Sequence, residues 1–86
     1  MTQSEWIYYT MMGEMEIPFP GVEDEFAEGR TCGDLYGEIF NANMSLCDRL
    51  GAEEDPDVEI IIRSFFKIQK ELCMKMYLYG VKFGIR

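Results

Sequence analysis

The sequence predicts an all-α fold, in which a short N-terminal helix and an acidic loop pack on a long antiparallel helical hairpin. Two segments, 31–50 and 56–79, carry apolar residues at helical spacing. The segment between them, 51–55, is short, which makes the two helices antiparallel neighbours. The chain has 86 residues, of which 48% are hydrophobic. This is enough for a core that needs no disulfide or metal, so we expect a single helical domain over residues 1–86.

The first helix is expected at about residues 3–12. Thr2 and Glu5 are spaced as a capping box, in which the Glu5 side chain reaches back to the Thr2 amide. Gly13 supplies a stop. A helix of this length is unstable alone, so its largely apolar surface must pack against the rest of the domain.

Residues 13–30 are expected to form an irregular acidic loop. Pro18 and Pro20 hold the residues before them extended and block a helix. Three apolar side chains are the expected anchors of the loop: Ile17, Phe19 and Phe26. The acidic side chains are the candidate residues for binding a partner: Glu14, Glu16, Glu23, Asp24, Glu25 and Glu28.

The second helix is expected at about residues 31–50. Its apolar residues recur at spacings of four, three, four and four and form one stripe: Leu35, Ile39, Ala42, Leu46 and Leu50. Gly51 is suited to the left-handed position that ends a helix. Gly33 and Gly37 either weaken the first turns or mark a close crossing with another segment.

The third helix is expected from residue 56 to residue 79 or slightly beyond. Asp55 is suited to the N-cap and Pro56 to the first helical position. Eight positions alternate at spacings of four and three and form the expected packing seam: Val58, Ile62, Phe65, Gln69, Leu72, Met76, Tyr79 and Phe83. Gln69 interrupts this seam. Either its side chain fixes the register of helix packing or its amide lies at the edge of the seam, in water, and we expect the second.

The composition excludes several kinds of site. The chain has no histidine, so it contains no Cys/His zinc site and no imidazole base. Its three cysteines, Cys32, Cys47 and Cys73, cannot all pair, and their spacing fits no structural zinc site. We expect no enzymatic activity, no cofactor and no metal. No secretion signal precedes Trp6 and no apolar run is long enough to span a membrane, which predicts a cytoplasmic protein with free thiols.

Charge is divided unevenly along the chain. Residues 1–59 carry fifteen of the sixteen acidic side chains, and residues 60–86 carry six of the eight basic ones. The acidic loop can therefore fold onto the basic face of the third helix, or it can remain free for a protein partner with a basic surface. Arg63, Lys67 and Lys70 share one helical face, but a pI near 4.3 opposes binding to a polyanion, so direct nucleic-acid binding is not expected.

A second apolar stripe lies on the otherwise polar side of the third helix. It consists of Met74, Leu78 and Val81. Either the first helix packs on this stripe, or the stripe is an interface with a partner or with a second copy of the chain.

Four stretches of the chain carry a resemblance to known sequences. They are Met-Gly-Glu at 12–14, Leu-Cys-Asp-Arg-Leu-Gly at 46–51, Asp-Val-Glu-Ile-Ile at 57–61 and Leu-Cys-Met-Lys-Met-Tyr-Leu-Tyr-Gly at 72–80. In these stretches the chain resembles a group of short, uncharacterised acidic helical proteins of Gram-positive gut bacteria and their mobile elements. The resemblance implies no catalytic or binding residue. In size and acidity the chain is also similar to the small acidic inhibitors of host nucleic-acid enzymes that mobile elements encode, including anti-CRISPR proteins.

Two functions follow as hypotheses. In the first, the protein is a non-enzymatic binding module whose acidic surface occupies a basic, nucleic-acid-binding groove of a host enzyme. In the second, it is a homo-oligomeric helical protein with a structural or regulatory role, and its acidity serves solubility alone.

Overall fold

The computed structural model describes residues 1–84, and within them it contains three α-helices and no strands. Helix α1 spans Gln3–Met11, α2 spans Thr31–Leu50 and α3 spans Pro56–Phe83. The all-α prediction is confirmed. Arg86, one of the basic residues of the C-terminal segment, lies outside the described residues. The molecule measures 50 × 23 × 22 Å, and its radius of gyration is 15.7 Å, against about 12 Å for a compact domain of this length.

Side-chain caps define the starts of α1 and α3. The Thr2 hydroxyl accepts a hydrogen bond from the Glu5 N–H, and the Glu5 carboxylate accepts one from the Thr2 N–H, each at 3.2 Å. The bond from the Thr2 backbone lowers the pKa of Glu5. The Asp55 carboxylate accepts from the backbone N–H groups of Asp57 at 3.0 Å and Val58 at 3.1 Å. Both helices therefore begin where their capping signals place them.

Glycines in the left-handed conformation end α2 and α3. Gly51 has a φ of 67° and Gly84 a φ of 64°, a conformation that glycine adopts without steric penalty. Gly80 does not end α3 because it keeps the helical conformation. Helix α3 consequently runs past residue 79.

The loop between α1 and α2 is held to α1 by a small polar and aromatic cluster. The buried Thr10 hydroxyl donates to the Trp6 carbonyl at 2.7 Å and accepts from the Phe19 N–H at 2.9 Å. The rings of Trp6 and Phe19 meet edge to face, with centroids 4.8 Å apart. Phe19 is thus an anchor, as expected. Ile17 is not: its side chain is 73% exposed, and the loop uses its backbone carbonyl instead, which accepts from the Trp6 indole N–H at 2.9 Å.

Helix α1 packs on α3, and this is the most extensive contact between helices. Tyr8 is buried there, and its hydroxyl accepts a hydrogen bond from the Gln69 amide at 3.2 Å. The same amide group lies 3.2 Å from the Met12 sulfur. The expectation that the Gln69 amide lies in water is therefore wrong, because α1 covers it. A buried tyrosine hydroxyl needs a polar partner, and Gln69 is the side chain that supplies one.

An aromatic cluster joins the loop to α2 and α3. The ring centroids of Phe26, Tyr36 and Phe66 lie 5.9–6.4 Å apart, within the range of favourable aromatic contact. Phe26 is thus the second loop anchor that the sequence indicates. The cluster places the start of α2 beside the middle of α3, and antiparallel packing along the full length of the two helices stays a prediction.

Gly33 allows the loop to cross the start of α2 closely. A Cβ atom at Gly33 would lie 2.5 Å from the Ala27 carbonyl oxygen and 2.7 Å from that of Phe26. At Gly37, one turn later, a Cβ atom would meet nothing within 4 Å. The sequence offered two explanations for these glycines, and a close crossing explains Gly33 but not Gly37.

Candidate interaction surfaces

An exposed apolar stripe runs along almost the whole of α3. Seven large apolar side chains form it, and each is 51–66% exposed: Ile61, Phe65, Ile68, Leu72, Met76, Tyr79 and Phe83. The pattern repeats every eleven residues, because Ile61, Leu72 and Phe83 are equivalent positions. An eleven-residue step advances a helix by only about 20° beyond whole turns, so the stripe runs nearly parallel to the helix axis. We call these seven residues the α3 stripe.

The position of the α3 stripe corrects a prediction from the sequence. Five of its members belong to the seam that was expected to pack inside the domain: Phe65, Leu72, Met76, Tyr79 and Phe83. The face of α3 that the chain itself covers is rotated from this seam and includes Ile62, Phe66, Gln69, Cys73 and Tyr77, which are half-buried. Helical periodicity groups residues on a face, but it does not say whether the partner of that face belongs to the same chain.

The α3 stripe continues into an apolar groove beside α2. The groove has a volume of about 750 Å³, and Ile39 of α2 forms its far side. Several further apolar side chains of α2 are also exposed: Leu35, Tyr36, Phe40, Met44 and Leu50. The buried apolar residues of the described chain are just Tyr8 and Cys47. Both long helices therefore present apolar surface that the single chain does not bury.

The total accessible surface of the chain is larger than that of a compact monomer of the same mass. It amounts to 6979 Å². A compact folded monomer of 10.0 kDa exposes roughly 5,200 Å². The chain thus exposes roughly 1,700 Å² more than a monomer of its mass. Contiguous apolar patches larger than a few hundred Å² mark interaction surfaces in soluble proteins.

The six acidic candidates divide into two groups. Arg30, at the end of the loop, forms ion pairs with Glu23 and Glu25. The hydrogen bond that Arg30 donates to Glu23, together with the charges of both glutamates, raises the pKa of Arg30. The Asp24 carboxylate accepts from the Phe26 N–H at 2.9 Å. These three acidic residues help to shape the loop.

The other three acidic candidates, Glu14, Glu16 and Glu28, are exposed and form no ion pair within residues 1–84. No loop carboxylate in that range pairs with a basic residue of α3. The loop is neutralised in part by its own arginine.

The second predicted apolar stripe is uncovered over most of its length. Leu78 is 59% and Val81 is 69% exposed, whereas Met74 is half-buried. Helix α1 makes its hydrogen bonds to α3 at Gln69 and Lys70, so it does not cover Leu78 or Val81. Whether these residues form an interface stays a prediction.

A cleft lies on the side of α3 that faces away from the α3 stripe. It has a volume of about 580 Å³, and α1, the loop, the start of α2 and the middle of α3 line it. Its basic residues are Arg63, Lys67 and Lys70, and its carboxylate is that of Glu14. The remaining lining is aromatic or apolar: Tyr8, Tyr9, Met12, Phe26, Tyr36 and Phe66. Sequence spacing indicates that the three cations share a face, but the aromatic walls come from distant segments that only folding brings together.

The described residues support neither metal binding nor membrane insertion. Within the described residues, no cluster of Cys, Asp and Glu side chains is suited to hold a metal ion. None of the three helices is both long and apolar enough to cross a membrane. No protein-family model, curated protein or solved structure matches the chain.

Proposed function

We propose that the protein is a non-enzymatic interaction module that acts by stoichiometric binding, and that the α3 stripe is its main binding surface. The observation that carries this proposal is the exposure of seven large apolar side chains in one line along α3. Removing such a surface from water stabilises a complex in proportion to the apolar area buried.

A second copy of the chain is the proposed occupant of the α3 stripe. If two chains each bury the excess surface, the interface totals about 3,400 Å², within the range of obligate homodimers. The stripe is straight and apolar throughout, so it is complementary to itself, as a two-fold symmetric interface requires. We further propose that α2 and α3 form an antiparallel hairpin in each copy, with the groove beside Ile39 open to the partner.

The charges beside the α3 stripe favour an antiparallel pairing of the two copies of α3. With Leu72 on the two-fold axis, Phe65 of one copy lies opposite Tyr79 of the other. Lys75 of one copy then lies near Glu71 of the other. The two helix dipoles also oppose each other in this arrangement. A parallel pairing offers neither of these contributions.

Sedimentation equilibrium of the wild-type chain and two glutamate variants tests the proposal. We expect a mass of about twice 10.0 kDa for the wild type and a monomer for Leu72→Glu, because the new charge would be buried unpaired. Leu78→Glu is the matched control, since Leu78 is similarly exposed, at 59% against 64% for Leu72, but lies on the other side of α3. Circular dichroism of each variant establishes that the helices are intact.

The measured masses distinguish the α3 stripe from the second apolar stripe as the interface. A wild-type chain that stays monomeric at the highest attainable concentration contradicts self-association. A monomer from Leu78→Glu together with a dimer from Leu72→Glu moves the interface to Met74, Leu78 and Val81.

A second candidate function is anti-CRISPR-like inhibition of a host nucleic-acid enzyme, in which the acidic surface of the chain occupies a basic groove of that enzyme. The exposed, unpaired Glu14, Glu16 and Glu28 support it, because their charge is not used inside the described part of the chain. Both candidate functions suit the cytoplasm that the sequence predicts.

The inhibitor function is tested by the rate at which the chain associates with a basic protein that it captures from a bacterial lysate. Combined charge reversal at Glu14 and Glu16 should slow association several-fold, and added salt should slow the wild-type chain in the same way. Charge reversal at Glu53 and Glu54, in the loop before α3, is the control and should have a smaller effect. Equal association rates for the wild-type chain and both charge-reversal variants would contradict electrostatic binding through the acidic loop.

A further inference from the structure

We propose that the cleft between α1, the loop and α3 binds a small organic anion with a flat apolar body. Of the cleft residues, Phe66 also lines the groove beside Ile39. The basic side of the cleft is separate from the α3 stripe, because Arg63, Lys67 and Lys70 lie on the opposite side of α3 from Leu72. A failure of this proposal therefore leaves self-association untouched, and the reverse also holds.

The charges of the cleft select an anion. Arg63 and Lys67 are exposed and form no ion pair within residues 1–84, so they are free to bind an incoming group. The Lys70 ammonium donates to the Tyr9 hydroxyl at 2.7 Å and lies 4.9 Å from the Tyr9 ring centroid. These contacts hold the ammonium at the wall of the cleft. Guanidinium and ammonium groups on neighbouring turns bind a carboxylate, sulfonate or phosphate head group well.

The aromatic walls select the rest of the ligand. The rings of Phe26, Tyr36 and Phe66 are tilted against each other and leave apolar surface open toward the cleft. Tyr8 and Met12 continue this surface on the α1 side. The volume of about 580 Å³ lies within the range of small-molecule sites, which are mostly apolar with a few charged groups that orient the ligand.

The net charge limits the ligand to a small anion. The chain carries a formal charge of −8, which repels a nucleic-acid strand or any other polyanion at long range. Glu14 contributes a carboxylate to the cleft itself. A ligand with one or two negative charges gains the contacts with Arg63 and Lys67 and meets little of this repulsion.

Calorimetric titration with 2-naphthoate tests the proposal. We expect 2-naphthoate to bind at one site per chain and its uncharged analogue, 2-naphthalenemethanol, to bind about tenfold more weakly or worse, because the analogue lacks the charge-assisted hydrogen bonds. Inorganic phosphate is the probe without an apolar body, and we expect it to bind more weakly than 2-naphthoate. Equal binding of 2-naphthoate and 2-naphthalenemethanol, or tighter binding of phosphate, overturns the proposed ligand class.

Matched double variants locate the site. Replacing Arg63 and Lys67 by glutamine should weaken 2-naphthoate binding about tenfold. The same change at Arg49 and Lys82, an arginine and a lysine that lie outside the cleft, should have little effect. Equal losses from both double variants, at unchanged helical content, would mean non-specific attraction and overturn the assignment.

The Leu72→Glu variant separates the cleft from the α3 stripe. Retained 2-naphthoate binding supports the cleft as the site. Lost binding, with the helices intact, places the probe on the α3 stripe and contradicts the proposal.

Discussion

The side-chain amide of Gln69, in the middle of α3, donates a hydrogen bond to the hydroxyl of Tyr8, which is the most buried aromatic residue of α1. Sixty-one positions separate the two residues in sequence. The bond joins the shortest helix to the longest one. Helix α1 is too short to be stable alone, so its stability depends on contacts of this kind.

Replacing Tyr8 by phenylalanine should lower the free energy of unfolding by about 1 kcal/mol, because the Gln69 amide loses a partner while the ring stays in place. Urea denaturation followed by circular dichroism measures the change. Tyr36→Phe is the control, since the Tyr36 hydroxyl makes no hydrogen bond within residues 1–84, and it should alter stability little. Equal losses in both variants would show that the Tyr8–Gln69 bond contributes nothing specific.

Stability should fall at alkaline pH. Burial raises the pKa of Tyr8 above its ordinary value of 10.0, and the hydrogen bond to Tyr9 raises the pKa of Lys70 above 10.5. Both groups bind protons more tightly in the folded state, so their contribution is complete below the unfolded pKa values and is lost as pH rises through the folded ones. Urea midpoints at about pH 8 and about pH 11 measure this loss. Tyr8→Phe should show a smaller loss, and an unchanged loss would contradict the role of Tyr8.

Alanine at Gly33 and at Gly37 should have opposite effects. At Gly33 the new methyl group overlaps the Ala27 carbonyl oxygen, 2.5 Å away, and overpacking of this kind costs about 1–3 kcal/mol. At Gly37 the site is open, and the higher helix propensity of alanine should stabilise the protein by up to about 1 kcal/mol. Thermal unfolding of the two variants measures both changes. Stabilisation by alanine at Gly33 would mean that the loop does not cross α2 closely.

The cysteines should differ in their rates of alkylation. Cys32 is exposed, Cys73 is half-buried, and Cys47 is buried with its thiol directed at the Asn43 side-chain oxygen at 3.6 Å. Iodoacetamide followed by peptide mass spectrometry should modify Cys32 first and Cys47 last. The order should disappear in urea, because burial alone distinguishes the thiols. Fast modification of Cys47 in the native protein would contradict its placement in the core.

Much of the local structure can be predicted from the sequence because its causes are local. The Thr2–Glu5 capping box, the Asp55 N-cap and the glycine at position 51 each act on backbone groups within a few residues. The prolines at 18 and 20 act on their immediate neighbours. The choice of Ile17 as an anchor failed because hydrophobicity does not say which side chains find a partner, and here Phe19 takes the place beside Trp6.

By itself, the sequence determined the three helices, their caps, the irregular acidic loop and the division of charge, because these depend on neighbours along the chain. The tertiary structure decided which face of α3 is covered. Helix α1 packs against Gln69 and Phe26 packs against Phe66, and neither packs against Leu72. It also decided that Arg30 pairs with the loop acids and that aromatic rings line the side of α3 that carries Arg63. These outcomes depend on contacts between residues far apart in sequence. No periodicity of a single helix encodes which distant segment, or which other molecule, will cover a given face.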